Sequence, residues 1–402
     1  MRLAIFLSHP IQHFSPLWQE LARHPELRLR VFYYGRQGIE NGMDREFGVE
    51  KVWDVDLLSG YEYQFLSRRW PTRDPLDCSG KALNRGMADA LAKGTDVAYV
   101  SGYAHLNNWA VAYQCQRLGI PLLYQSDSNF LAEQRRPAWR RWLKGQIIRP
   151  FFQRVTVFLA CGDHNRTYLE YYGAPSDRIR FSAIPVDTVR FRCAASELNE
   201  EGRRALRAKY GLAVDDFVAA FAGKMVTHKR PQDLLQAVKA ANRPSLRAFY
   251  IGTGQMEGEL KAHAKGGLAS FAGFVNQSQM PKVLSLCDVL VMPSDNDAHP
   301  LIVTEAQCLG IPVILSDHCG CYGPSDVFRD RESGLLYPCR DVRSLAGALT
   351  RLMDRPTERA CMGQRARDLA ERHSVQTTAN DFLAAAALAV RSNSANSDES
   401  IL

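Results

Sequence analysis

A chain of 402 residues and 45.2 kDa exceeds one ordinary core and predicts two domains of about 200 residues each. Hydrophobic residues at 46% and charged residues at 23% exclude a disordered or fibrous chain. Nearly all of the +7 charge falls in residues 1–190, and 128–180 holds ten Lys and Arg against four Asp and Glu, so an anionic partner is expected there and not over the whole surface.

Apolar or β-branched runs bounded by turn residues at 3–7, 29–34, 61–66, 96–100, 121–125 and 155–160 read as strands, with helix-length segments of 3.6-residue period between several of them. This alternation predicts a parallel sheet covered on both faces. The pattern restarts after a Glu/Arg-rich helix around 196–210, with strands at 217–222, 246–251, 289–292 and 312–315. A boundary near 187–215 follows, and the chain is read as α/β. The expected domains are 1–190, 191–375, a helix at 376–390 packing back on the first domain, and a frayed Ser/Asn-rich tail at 391–402.

In doubly wound sheets ligands bind beyond the carboxyl ends of the strands. The first such loop, Ser8-His9-Pro10-Ile11-Gln12-His13-Phe14-Ser15-Pro16, has no glycine fingerprint and speaks against a nicotinamide or flavin enzyme. Ser15 is placed to cap the following helix, with Pro16 at its first position. His9, Gln12 and His13 can contact a polar substrate or merely satisfy loop backbone, and both readings stay open. Pro10 prevents one helix from aligning the two histidines as metal ligands.

The stretch 134–154 is basic. Trp139, Trp142, Leu143 and Ile147 can share a helical face that Arg140, Arg141 and Lys144 flank. Such a helix can lie on an anionic membrane, or pack its apolar face on the sheet beneath a solvated rim. Nucleic acid is not expected, because no recognition module accompanies the charge.

After the strand at 217–222 comes Gly223-Lys224-Met225-Val226-Thr227-His228-Lys229-Arg230-Pro231, where two lysines beside a helix N-terminus can converge on a diphosphate. A solvated basic turn is the alternative. Gly252-Thr253-Gly254 reads as a tight strand-to-helix turn. Next, Pro293-Ser294-Asp295-Asn296-Asp297-Ala298-His299-Pro300 leads into a helix starting near Leu301, with Glu305 eight residues beyond Asp297. Both carboxylates can accept hydroxyl hydrogens of sugar or ribose rings. Asp295-Asn296-Asp297 and Asp54-Val55-Asp56 have the spacing of a cation site, but two acids in a tripeptide arise easily by chance and the lysines already supply positive charge, so no metal is expected.

The ten cysteines include no Cys-x-x-Cys pair and suit a reducing cytosol. Residues 2–8 lack the pattern of a secretory signal, and no apolar run reaches bilayer-spanning length.

Together, the Gly-Lys turn with its second lysine, Pro293-Ser294, the two acids, Glu305-Ala306, Gly310-Ile311-Pro312-Val313 and Ser316-Asp317 resemble retaining glycosyltransferases of family 4. The likeness extends through Gly320, Asp326, 333–338 and Asp341, and back to 165–187. It implies a GT-B fold, two doubly wound Rossmann-like domains facing across a cleft. It also implies transfer from a nucleotide-diphosphate sugar to a hydroxyl on a carbohydrate or lipid-linked acceptor, in bacterial polysaccharide or glycolipid assembly, without cofactor. Lys224 and Lys229 would hold the diphosphate, Asp297 the donor sugar and Glu305 the ribose, with His299, Leu301 and Ile302 along the donor. The family's Gly-Phe-Gly reads Ala298-His299-Pro300 here, and Asp127 stands where many members carry a histidine, as an orienting group for the acceptor or a capping acid. A cytoplasmic location, with peripheral attachment to the inner face of the plasma membrane, is the matching expectation. A non-hydrolysing nucleotide-sugar epimerase and a catalytically inactive sugar-nucleotide binder remain as alternatives.

Overall fold

The computed structural model describes residues 1–40, 43–44, 49–50, 53–68 and 83–399, the side chains of 43–44, 49–50 and 394–399 excepted. Cys78 lies outside them, and every cysteine among the described residues is a free thiol. Residue contacts divide the chain into two units. One runs to Pro185 and takes in the chain from Val375 onward, while the other runs from Val186 to Ser374 and includes a short antiparallel hairpin.

The first unit is built on strands β1 (Arg2–Leu7), β2 (Arg28–Tyr33), β5 (Glu62–Phe65), β6 (Val97–Ser101), β7 (Leu122–Ser126), β8 (Val157–Ala160) and β9 (Ile179–Phe181); β3 (Met43–Asp44) and β4 (Val49–Glu50) are the hairpin. All seven are parallel, in the order β5-β2-β1-β6-β7-β8-β9. The central strands are buried on both faces, so they read as continuous apolar runs instead of alternating ones. The second unit carries β10 (Phe217–Ala222), β11 (Leu246–Ile251), β12 (Ala269–Gly273), β13 (Val289–Met292), β14 (Val313–Ser316) and β15 (Gly334–Tyr337), again all parallel, in the order β12-β11-β10-β13-β14-β15. The order reverses between β1 and β6 in one sheet and between β10 and β13 in the other. Adjacent loops diverge at those two points and leave space for a ligand.

Several local expectations are corrected. Ser15 does not cap its helix: it lies inside the helix Ser15–Ala22, and its hydroxyl donates back to the Ile11 carbonyl at 3.2 Å. The Glu/Arg-rich helix expected around 196–210 is Glu200–Lys209, capped by Asn199, and a separate helix, Thr188–Ser196, capped by Asp187, precedes it. Of the tail expected to fray at 391–402, the part up to Glu399 continues the helix Val375–Glu399, and 400–402 lie outside the described residues.

That last helix closes the first unit. Phe382 is 1% exposed and meets Trp18 edge-on at 5.9 Å and Tyr99 at 5.2 Å, while the Asn393 amide donates to the Gly119 carbonyl at 2.7 Å. Phe382→Ala is expected to destabilise this unit by about 3–5 kcal/mol, read from denaturant unfolding, because the surrounding rings cannot collapse into the space left.

Candidate functional site

In the second unit the carboxyl end of β10 turns through Gly223 into a 3₁₀ turn, Thr227–Lys229, and the helix Pro231–Ala241. The turn is held by its neighbour. Met225 donates its amide to the Thr253 carbonyl at 2.9 Å, and Met256 donates to the Met225 carbonyl at 2.9 Å. A Cβ at Gly252 would fall 2.1 Å from the Gly223 oxygen, and one at Gly254 would fall 2.6 Å from that of Met225. The Gly252-Thr253-Gly254 run therefore serves backbone-to-backbone packing that sets the lysine turn.

Lys229 is directed across the switch point onto the Asp297 carboxylate, with which it forms an ion pair. The loop carrying Asp297 is anchored on both sides: the Asp295 amide donates to the His228 carbonyl at 2.8 Å, and the Gly320 amide donates to the Asp297 carbonyl at 2.9 Å. Lys224 is half-buried in the same turn. Arg230, between the lysine and the helix, is a local staple, bound by both guanidinium arms to buried Asp233 at 2.7 and 2.8 Å.

His299 follows, only 7% exposed, and neither ring nitrogen has a hydrogen-bond partner. Burial pushes it down to about 4, so its imidazole is neutral at pH 7. Its ring lies 6.4 Å from that of buried His373. Leu301 and Ile302, both half-buried, open the helix Leu301–Cys308, which no side chain caps and whose first turn holds no acid. Such an end favours negative charge. One turn on, Glu305 sits in dense surroundings that push its carboxyl up to about 7, against the pull of Arg190. Arg190 is pinned by the Gln277 backbone carbonyl at 2.8 Å and its side-chain oxygen at 3.2 Å.

Asp295, two residues from Asp297, plays a different part. Burial opposes its ionisation, but Arg340 at 2.7 Å and His318 at 3.0 Å outweigh it and hold the carboxyl at about 2. Cys339 completes a group of three that could meet on a cation. The carboxylate is already taken by Arg340, and burial pushes the thiol up to about 11, which keeps it protonated. Asp54 and Asp56 of the other Asp-x-Asp lie in the first unit, where Asp56 accepts the amides of Leu58 and Ser59, both at 3.0 Å.

The remaining sequence-derived residues belong to the first unit. His9, Gln12 and His13 follow β1, and the Ser8 hydroxyl lies 2.9 Å from His9 Nδ1. Burial, with His9 nearby, pushes His13 down to about 3. Asp127 is exposed beyond β7, and the cap of the next helix is Asn129, which accepts the Ala132 amide at 2.9 Å. Asp127 is thus not the capping acid. A pocket of about 590 Å³ lined by Arg2, Arg28 and Lys93 opens at the amino end of this sheet, away from the ends that carry these residues. Sequence reading missed Arg190, Gln277, His318, Arg340 and His373, which come from other elements and carried no spacing signal.

Two parallel Rossmann-like sheets of this order make the fold that of GT-B glycosyltransferases. The structure of HepE from Anabaena, solved in complex with UDP, superposes with a TM-score of 0.72 at 14% identity, covering 95% of this chain and 98% of that one. Sucrose-phosphate synthase from Thermosynechococcus elongatus superposes at 0.69 and 16% identity, over 95% and 97%. Residues 202–369 match the family model described as glycosyl transferases group 1. Among curated proteins, the D-inositol 3-phosphate glycosyltransferase of Saccharomonospora viridis is 31% identical over 227 residues, 53% of this chain and 50% of that protein. Its counterpart in Streptomyces scabiei is 32% identical over 226 residues, 52% and 49%. The match spans about half the length of these relatives.

Folded Glu305 holds its proton more tightly than the unfolded chain, whose value is near 4.5, so its ionisation costs stability. That cost is absent below about pH 4, grows as the pH rises toward 7 and is constant above. Glu305→Gln is expected to unfold like the wild type at about pH 4 and to be more stable by on the order of 2 kcal/mol at about pH 8, measured by denaturant titration.

Proposed function

We propose that this chain is a retaining, metal-independent glycosyltransferase that moves a sugar from a nucleotide-diphosphate donor to a hydroxyl acceptor. The observation that carries the reading is the Lys229–Asp297 pair at the switch point, beside an uncapped helix whose Glu305 lies one turn further on. The match of 202–369 to group 1 glycosyltransferases and the glycosyltransferase relatives support it. HepE, which shares the fold, was solved with UDP and with UDP-glucose, and a donor of that chemistry suits these side chains.

In this reading Asp297 accepts sugar hydroxyls while the Lys229 ammonium, one of its donors spent on Asp297, turns the others to the diphosphate. Lys224 joins it. Glu305 takes the ribose hydroxyls, and His299 offers an otherwise unpartnered ring nitrogen where Pro300 has no N–H to give. The bond from the anomeric carbon to the β-phosphate oxygen breaks with its electron pair staying on phosphate, where the lysines and the helix end stabilise the charge. The acceptor oxygen bonds to the same face of that carbon and its proton passes to the departing phosphate, so no carboxylate nucleophile is needed. Asp127, with His9, Gln12 and His13, is assigned to the acceptor side.

Lys229→Ala and Glu305→Ala are each expected to lower kcat/KM by about 100-fold or more while unfolding stays cooperative. Full activity in either variant refutes the assignment. Product stereochemistry by NMR should show retention, and EDTA should leave the rate unchanged; inversion, or loss restored by manganese, overturns those parts.

A nucleotide-diphosphate sugar has no ionisation near pH 7, so a change of donor KM there reports the protein. Donor KM is expected to fall as the pH rises through 7, where Glu305 ionises, and to lose that inflection in Glu305→Gln. A stopped assay across pH 5.5–8.5 measures it, that range being roughly 1.5 units either side of the titration.

A further inference from the structure

The helix Ala138–Phe152 has more apolar surface than its own unit uses. Gly145, Ile148, Phe151 and Phe152 are buried, with the two phenylalanine rings against Tyr124 of β7 and Phe152 also against Phe158 of β8. That contact satisfies the sheet. Trp139, Trp142, Leu143 and Ile147 instead stand 62%, 65%, 51% and 55% exposed. Of the two readings open in the sequence, packing this stripe on the sheet is therefore excluded. At 3.6 residues per turn the four side chains cover roughly 140° of the helix circumference, a continuous stripe and not scattered surface residues.

The charge around the stripe is of one sign. Residues 134–154 hold seven Lys and Arg and no acid. Arg140 borders the stripe on one side and Arg149 on the other, both exposed, and exposed Arg135 and Arg136 precede the helix. The Arg140 guanidinium lies 5.1 Å from the centre of the Trp139 ring. Lys144 does not contribute, because it is paired inward with buried Glu133.

We infer that this face docks the first unit onto an anionic lipid bilayer, with Trp139 and Trp142 at headgroup depth, Leu143 and Ile147 below them, and Arg140 and Arg149 on lipid phosphates. Tryptophan flanked by cations suits that interface. A second copy is disfavoured, since pairing two such faces would bring like-charged segments together. The helix lies on the surface and does not cross it: among the described residues no helix is long and apolar enough to span a membrane. Resting on the transfer reading, this makes the acceptor class a lipid-linked hydroxyl met at the membrane surface.

The test is sedimentation of the full chain with vesicles of phosphatidylcholine alone and of phosphatidylcholine with phosphatidylglycerol, at low and physiological salt. Expected is binding to the anionic vesicles only, weakened by salt, with a blue shift of tryptophan emission. Trp139→Ala/Trp142→Ala and Arg140→Glu/Arg149→Glu should each weaken it by about tenfold or more. Their unfolding midpoints should match wild type, since all four side chains are exposed. Equal binding to both vesicle types, or binding unchanged in the variants, overturns the inference, as does self-association that the tryptophan pair abolishes in place of vesicle binding. Vesicle binding needs no donor, so its failure leaves the transfer reading standing. A protein that binds vesicles but transfers no sugar fails that reading alone.

Discussion

The contact between Lys229 and Asp297 joins residues 68 positions apart, and it exists because β10 and β13 are neighbours in the sheet. From β10 the chain winds outward through β11 and β12, then returns to lay β13 on the other side of β10. Loops leaving the two central strands turn away from each other, and only there can a lysine from one and a carboxylate from the other meet. The rest of the second unit supports that meeting. Two glycines let the next loop lie against the lysine turn, and the His228 carbonyl and the Gly320 amide tie down the loop that carries Asp297.

Three acids within eleven residues show how environment divides labour. Asp295 has two cationic or polar partners and is held at about 2, so it is a permanent anion that braces the ends of β13, β14 and β15 through Arg340 and His318. Asp297 is committed to Lys229. Glu305, with Arg190 as its counterweight, is pushed up to about 7 and is thus held at a cost to stability. Perturbed carboxyls of that kind gather where a site must bind or react, whereas a depressed one such as Asp295 is equally at home in a structural network.

Strand alternation was legible because parallel strands buried on both faces are continuous apolar runs. Among the strands not expected, two lie where that signal weakens, Ile179–Phe181 with an exposed arginine at the centre of its three residues and Ala269–Gly273, built mostly of small residues and only half-buried, while Gly334–Tyr337 is a largely buried apolar run of only four residues opened by a glycine. Ser15 was assigned to a cap on residue type alone, and so was the capping alternative for Asp127. Actual capping depends on where the backbone leaves helical geometry, which put Asn129 and not Asp127 at the start of its helix. Lys224, Lys229, Asp297 and Glu305 could be found because each lies at a short, countable distance from a strand end. Arg190, Gln277 and His373 could not, since they reach the same region from elements that follow or precede it by tens of residues.

By itself the sequence determined the two α/β halves, the strand ends from which candidate groups project, and the amphipathic character of 135–154, because all of these depend on local periodicity and residue type. Only the tertiary structure decided which loops meet, which acid takes which cation, and which face of the Ala138–Phe152 helix is left to solvent. Those outcomes depend on strand order and on competition for the same buried space. Ile148, Phe151 and Phe152 won that competition against the sheet, and Trp139 and Trp142 remained outside.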